Sequence, residues 1–471
     1  MGAFIYSADT NYNDLRLAGP TIGGSVPTNT PGGAYAPYLI GRFTQVAGNS
    51  LTLYYTLSTW NPYTVVLMKS QFTITPAQGA GQNWVATWGT SPVPPDSTNT
   101  NNAGFTNQTL RLIAHTSIGG NPVRVRLSNT FGTNSLVIGA AHIALAGTGA
   151  AIIPGTDMAL TFNGAGSLTL PPGALALSDS ADFNVPALSN LAVSLFISGT
   201  TGPATWHPGA TQTNYVSPSG DFTGGSSIPV AQTVLSSYYL TDVEVAAATN
   251  ALAIVALGDS ITDGYQSILN ANHRWPNYLA GRLAGAQTNL GVVNEGIGGN
   301  RLLQDDVGPS GLSRFDHDVL AQAGVGYVTV LLGVNDIGHS TATQLVTSAE
   351  LISGYLQLAA RAHAQGLKIF GCTLTPFGRS AYDSAAHETK REAVNSFMRR
   401  ITFSMERLTS MPLCATRTRL QTCSPLTTVA TIYIPMTRAT RRWLTRSTSR
   451  CFREEPRRHS GPASAPPRSA I

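Results

Sequence analysis

Leu252-Ala-Ile-Val-Ala-Leu257 runs directly into Gly258-Asp-Ser-Ile-Thr-Asp-Gly264. An unbroken apolar run ending in a small-residue turn predicts a strand buried on both faces, as in a parallel sheet. Such a strand delivers Ser260 to the loop at its carboxyl end, the edge where open α/β sheets place their ligand crevices. Downstream, the pattern alternates strand, loop and helix. Strands are predicted at 252–257, 292–294, 327–332 and 367–373, and helices at 275–285, 311–323, 347–365 and 384–400. The alternation predicts a domain over 249–400 of the α/β class, a three-layer α/β/α sandwich around a parallel sheet.

Ahead of it, residues 76–248 are rich in short strands, among them Val123-Arg-Val-Arg-Leu127, Ser135-Leu-Val-Ile138, Leu191-Ala-Val-Ser-Leu-Phe-Ile197 and Ser237-Tyr-Tyr-Leu240. Closely spaced turn signals between them predict an all-β sandwich or jelly roll. Arg124 and Arg126 alternate with apolar neighbours, which predicts a solvated strand face in preference to a binding patch. Residues 1–75 hold Leu51-Thr-Leu-Tyr-Tyr-Thr-Leu57 and Tyr63-Thr-Val-Val-Leu-Met68, a few strands without enough partners to close a core.

The chain has 471 residues, 11% of them charged, with little lysine and abundant Gly, Thr, Ser, Asn and Pro. That surface is like those of secreted polysaccharide-active or cell-surface proteins. The first residues show neither a basic region nor an apolar stretch of signal-peptide type, and no run approaches the roughly 18 apolar residues of a membrane span. Cys372 falls in a predicted buried strand, and the three remaining cysteines, Cys414, Cys423 and Cys451, lie in the tail, so no disulfide framework is expected. The net charge of +5 invites a nucleic-acid partner, but residues 401–471 carry twelve Arg against three Glu. The rest of the chain then has 17 basic and 21 acidic groups, a mildly acidic body with no nucleic-acid signal.

Two further loops follow predicted strands: Asn294-Glu-Gly-Ile-Gly-Gly-Asn300, a glycine turn whose backbone can approach a ligand, and Gly333-Val-Asn-Asp336. Alone, Asn335-Asp336 would read as a helix cap and Gly298-Gly299 as turn chemistry. No dinucleotide-binding G-x-G-x-x-G is completed. Together with Ser260, the set resembles the SGNH (GDSL) hydrolase family, whose blocks run GDS, a glycine turn, GxND and a late DxxH. Trp84-Val-Ala-Thr-Trp-Gly-Thr-Ser-Pro92, Val123-Arg-Val-Arg-Leu-Ser-Asn129 and Arg274-Trp-Pro276 resemble its two-domain bacterial and fungal members. The resemblance covers about residues 83–400. It implies a flavodoxin-like fold and ester hydrolysis, with Ser260 as nucleophile. The N–H groups of Ser260 and Gly299 and the amide of Asn335 would form an oxyanion hole, with no metal or organic cofactor. Its substrate would be a small-molecule or polysaccharide ester. The stretch Ser58-Thr-Trp-Asn-Pro-Tyr-Thr-Val-Val-Leu-Met-Lys69 resembles the end of the propeller-like DUF4185 family, linked to carbohydrate-active proteins. The alternative function is a non-catalytic carbohydrate-binding or cell-surface protein.

A serine nucleophile needs a base, usually a histidine oriented by a carboxylate. No DxxH follows the helix predicted at 384–400. His459 has no acidic residue three places before it, His387 follows Asp383 by four, His363 lies in a helical pattern, and His317 and His339 read as structural or exposed. The tail is expected to be an out-of-frame reading beyond about Arg400, without packed structure. Pairing the third base of each codon with the first two of the next, the steps from Val429 to Thr440 admit G-D-H-L-H-P-N-D-A-G-Y, and Met436-Thr437 admits only Asp. That string is the family's DxxH block with its usual continuation. Frame-shifted GC-rich codons also account for the arginines, so the tail is no nucleic-acid arm.

Overall fold

The computed structural model describes residues 34–39, 45–47, 50–60, 63–73, 81–95, 102–340 and 345–400. The expectations placed on residues 401–471, including those for His459 and the three tail cysteines, lie outside them. The chain divides into two compact units, Met1–Gly81 and Gln82–Ile471.

In the first unit, strand Ser50–Trp60 pairs antiparallel with Ala34–Leu39, Gln45–Ala47 and Tyr63–Thr73. The predicted strands at 51–57 and 63–68 are therefore present and longer. In the second unit, residues up to 247 form two main antiparallel sheets. The larger includes the long strands Thr106–His115, Leu136–Leu145 and Asn190–Thr200; the smaller includes Asn83–Gly89, Val123–Ser128 and Leu240–Ala247. Leu110, Leu112, Ile138, Ile143, Leu191 and Val193 from the larger meet Val123, Val125, Leu127, Val243 and Val245 from the smaller in one core. The alternation of inward apolar side chains along each strand makes this a sandwich.

The rest of the unit is a parallel sheet in the order Leu290–Gly296, Leu252–Gly258, Val325–Leu331, Lys368–Gly371. Among the described residues, the α-helices that accompany it are α1 (Ser260–Asp263), α2 (Trp275–Gly285), α3 (Gly311–Phe315), α4 (Val334–Gly338), α5 (Ser348–Ala364) and α6 (Ala385–Arg400). Successive residues of the strand Leu252–Gly258 point to opposite faces. Ile254 and Val292 pack against Leu279, Ala280 and Leu283 of α2. Ala253, Val255, Leu257 and Val293 pack with Phe315, Leu351, Leu358 and Val394 from the helices on the other side. The two-sided burial explains the continuous apolar run and gives the expected three layers. A capping box, Thr347 with Glu350, starts α5, and its buried Leu351, Tyr355, Leu358 and Ala362 recur at helical spacing.

Three expectations change. The helix predicted at 311–323 is α3 followed by a π-helical turn over Asp316–Leu320. The last strand is shorter than 367–373, and Cys372 lies just past it, buried, its thiol pushed up to about 12 by desolvation. The Arg124 and Arg126 face is not a solvated one. Arg124 lies over the Trp84 ring and pairs with Glu244, while Arg126 pairs with Asp242 and Glu244 and donates to the Ala321 carbonyl. Both carboxylates are fully buried, so this strand face is a charged seam against the π turn. The two parts of the unit also exchange apolar side chains: Val85 and Ala86 join the parallel sheet's core, and Ile297 joins the sandwich core. Among the described residues no helix is long and apolar enough to cross a membrane.

Candidate active site

The parallel register aligns Gly258 with Gly296 on one side and Leu331 on the other. Loops 259–264, 297–300 and 333–336 thus leave one edge of the sheet side by side. Asp259 caps α1: its Oδ1 accepts from the Ile261 N–H at 2.9 Å, and its carbonyl accepts from Thr262 at 3.0 Å and Asp263 at 2.9 Å. Ser260 becomes the first helical residue, half-buried, with its N–H among the donors a helix start leaves unspent. Gly299 has φ +76°, and a Cβ there would lie 3.0 Å from Val307 Cγ2, so only glycine sits comfortably.

Asn335, on α4, is 5% exposed. Its Nδ2 donates to the Asn300 carbonyl at 2.9 Å, and its Oδ1 accepts from the Tyr382 hydroxyl at 3.0 Å. A side-chain amide has two N–H bonds, so one remains free. Among the described residues, the N–H groups of Ser260 and Gly299 have no acceptor, and the Ser260 hydroxyl has no hydrogen-bond partner. Three unspent donors and one unengaged hydroxyl therefore occupy three adjacent loops, a constellation able to receive a carbonyl oxygen that is gaining negative charge.

Asp259 Oδ2 is buried without a partner. Desolvation, with the negative charge of Asp336 adding to it, pushes this carboxyl up to about 7. Burial raises Asp336 as well, against bonds from the N–H groups of Leu302 and Leu303. A carboxyl raised in the folded state keeps a proton that the unfolded chain has already lost. This group's contribution to stability is therefore fully present below the unfolded value of about 4, is lost as pH rises toward 7, and levels off above it, a loss of roughly 4 kcal/mol in all. Asp259→Asn preserves the cap to Ile261 and removes this titration. Urea midpoints of the two proteins should diverge in the variant's favour between pH 5 and pH 8; parallel pH profiles would count against it.

Arg314 stands behind the strand that leads to Ser260, 4% exposed. It donates from Nη2 to the Gly258 carbonyl at 2.9 Å, from Nε to Asn300 Oδ1 at 3.1 Å, and from Nη1 to Ser91 Oγ, the Glu295 carbonyl and Asp318 Oδ2 at 2.7, 2.7 and 3.0 Å. Ser91 belongs to the sandwich and donates to Glu295 Oε2 at 2.6 Å. Desolvation and the charge of Asp318 hold Glu295 well above the usual carboxylate range. Burial works the same way on Asp318, but the His317 bond and the Arg314 charge outweigh it and hold Asp318 low.

The sandwich also grips the chain just after Ser260. His207 Nδ1 lies 2.8 Å from the Ser91 carbonyl and its Nε2 lies 3.1 Å from Asp263 Oδ1. Asn270 is bonded through its N–H to the Thr211 carbonyl at 3.1 Å and through Oδ1 to the Thr213 N–H at 2.7 Å, and Arg274 Nε donates to Thr211 Oγ1 at 2.8 Å. Between these anchors Tyr265 and Ile268 are 74% and 66% exposed. A cavity of about 40 Å³ lined by Trp88, His207, Asp263 and Arg274 lies at this junction, room for water and not for a sugar ring.

The other histidine candidates from the sequence that lie among the described residues have partners or positions of their own. His317 bonds to Asp318 at 2.6 Å, His387, in the first turn of α6, has Nδ1 2.9 Å from the Tyr382 carbonyl, and His363 is on α5. His339 lies between Arg301 and Tyr382. Among the described residues no histidine is bonded to Ser260, and no group of three or more His, Cys, Asp or Glu side chains is placed to hold a metal ion. Arg314, His207 and Tyr382 carried no motif. The one signal was a lone arginine in the predicted helix 311–323.

Residues 256–407 match the GDSL-like Lipase/Acylhydrolase family. A search of curated proteins finds no match. Among solved structures, the chain is similar to one from Desulfitobacterium hafniense described as a lipolytic protein of the G-D-S-L family, at 24% identity and TM-score 0.24 over 31% of this chain and 71% of that one. It is similar to a carbohydrate acetylesterase from Sinorhizobium meliloti at 16% identity and TM-score 0.26, over 31% and 78%. An inhibitor-bound aryl esterase of M. smegmatis matches at 22% identity and TM-score 0.24, over 32% and 81%.

Proposed function

With residues 256–407 forming a domain of the GDSL-like lipase/acylhydrolase family, we propose that the chain is a serine ester hydrolase built around Ser260. The observation that carries this is the set of unspent donors on three adjacent strand ends. Ser260 Oγ attacks the ester carbonyl carbon, and the carbonyl's π electrons move onto its oxygen. The N–H groups of Ser260 and Gly299 and the free Asn335 N–H take up that charge. Collapse re-forms the carbonyl, breaks the bond to the alcohol oxygen and leaves an acyl-enzyme, which water opens by the same steps in reverse. The serine proton must pass to a base and then to the leaving oxygen, a role for the histidine of the late DxxH block. That block is proposed to be displaced from the reading frame, so the chain with its present tail turns over slowly.

An acylated carbohydrate is the proposed substrate class. Tyr265, whose N–H is bonded to the Ser260 carbonyl at 2.9 Å, presents an exposed amphipathic ring beside the site. The composition agrees. The alternative of a separate carbohydrate-binding sandwich has less support, because the sandwich exchanges apolar side chains with the core of the parallel sheet and is tied to it by the Ser91–Arg314 bond.

Incubation with a fluorophosphonate, followed by intact mass, tests the nucleophile. One slow adduct is expected on the chain and none on Ser260→Ala. Asn335→Ala should slow labelling about 100- to 1000-fold, the usual cost of one oxyanion donor. An adduct that survives in Ser260→Ala would remove the proposal, and near-normal p-nitrophenyl ester hydrolysis by the present chain would refute the impairment.

A further inference from the structure

We infer that Tyr382 is a positioning residue, the last link of a one-way hydrogen-bond relay that starts at Arg301, held in place by Asp306, and runs through His339 to fix which way the Asn335 amide points. The inference rests on Asn335 serving as an oxyanion donor. An amide's oxygen and nitrogen have nearly the same shape, so its orientation is decided by its partners. On one side the Asn300 carbonyl can only accept, which calls for Nδ2 there. On the other side stands a hydroxyl, which can donate or accept, and the relay removes that freedom.

Arg301 Nη2 lies 2.7 Å from Asp306 Oδ2 and 2.8 Å from His339 Nδ1. A guanidinium has no acceptor, so Nδ1 must accept, and the neutral imidazole then carries its hydrogen on Nε2. Nε2 is 2.7 Å from the Tyr382 oxygen and donates to it. The single Tyr382 hydrogen is left for Asn335 Oδ1, at 3.0 Å. The amide is thereby oriented from both ends, and its second N–H projects away from both partners.

Packing agrees with the hydrogen bonds. A Cβ on Gly338 would overlap the Tyr382 ring, so α4 approaches this tyrosine more closely than any other residue would permit. Phe377 and His339 meet the ring edge-on, at centroid distances of 6.5 and 5.3 Å. Burial also raises the phenol above its ordinary value, so it retains the hydrogen the relay requires.

Tyr382→Phe keeps the ring and deletes the hydroxyl. Labelling of Ser260 by a fluorophosphonate and kcat for p-nitrophenyl acetate should fall about tenfold, with KM moving less than about twofold, because the lost bond acts on the transition state. His339→Gln, which keeps an N–H donor toward Tyr382, should retain most of the rate. A crystal structure of Tyr382→Phe should show the Asn335 amide turned or released from the Asn300 carbonyl. Wild-type rates in Tyr382→Phe, or an Asn335 amide unmoved in that crystal, would overturn the inference. If no variant labels at Ser260, the esterase proposal fails, while the Asn335 orientation in the crystal still decides this one.

Discussion

Deleting or inserting bases after the Arg400 codon, so that the third base of each present codon opens the next, should raise p-nitrophenyl ester hydrolysis about 10⁴- to 10⁶-fold, the range serine hydrolases lose with their base. The expectation follows from what the described site contains and from what its chemistry requires. Ser260 sits at a helix start with its hydroxyl unengaged, and His317, His339, His363 and His387 are committed elsewhere or set apart. The proposed oxyanion donors, the N–H groups of Ser260 and Gly299 and the Asn335 amide, all lie ahead of the tail. Restoring the block should therefore add a proton acceptor to an otherwise assembled site, and the gain should appear mainly in kcat. Ser260→Ala in the restored chain should cancel it. An unchanged rate in a restored, folded chain would mean that the re-read histidine is not the base.

The tail's arginines matter to the same experiment. Residues 401–471 hold twelve of the 29 basic side chains and none of the lysines. Restoring the frame should lower the isoelectric point together with raising activity, and any affinity of the present chain for polyanions should vanish with it.

Much of the parallel sheet was legible because burial on both faces leaves a mark in a few consecutive residues. Leu252–Leu257 is apolar throughout since Ile254 serves one helix layer and Val255 the other. Ser260, Gly299 and Asn335 were legible for a related reason: each follows such a strand. Arg124 and Arg126 were misjudged because alternation reports which side chains share a face and says nothing of what covers it. Their cover is Asp242, Glu244 and the Ala321 carbonyl, more than a hundred residues away in the chain. Tyr382 escaped for want of any local pattern, since its significance lies in the Asn335 amide 47 residues earlier.

Arg314 is the extreme case, and its loss should have the largest effect on stability. Its Nη1 reaches Ser91, 223 residues away, while Nη2 holds the Gly258 carbonyl, two residues before Ser260. Arg314→Met fills similar space without charge or donors. It would strand the Asp318 carboxylate, 3% exposed and kept ionised partly by this guanidinium, with His317 as a remaining hydrogen-bond partner. It would also remove donors from the carbonyls of Gly258 and Glu295 and from Asn300 Oδ1. Breaking one side of a buried pair typically costs about 3–5 kcal/mol, because the remaining charge has neither water nor partner. An unfolding free energy lowered by that amount, read from urea denaturation, is expected for Arg314→Met. Arg314→Lys, with one charge and no planar fork, should fall between the two. The same variant separates two roles of the sandwich. Because Arg314 joins Ser91 to the Gly258 and Asn300 loops, a folded Arg314→Lys protein should also label Ser260 more slowly. A variant that loses stability but labels at the wild-type rate would confine the sandwich to holding the fold together.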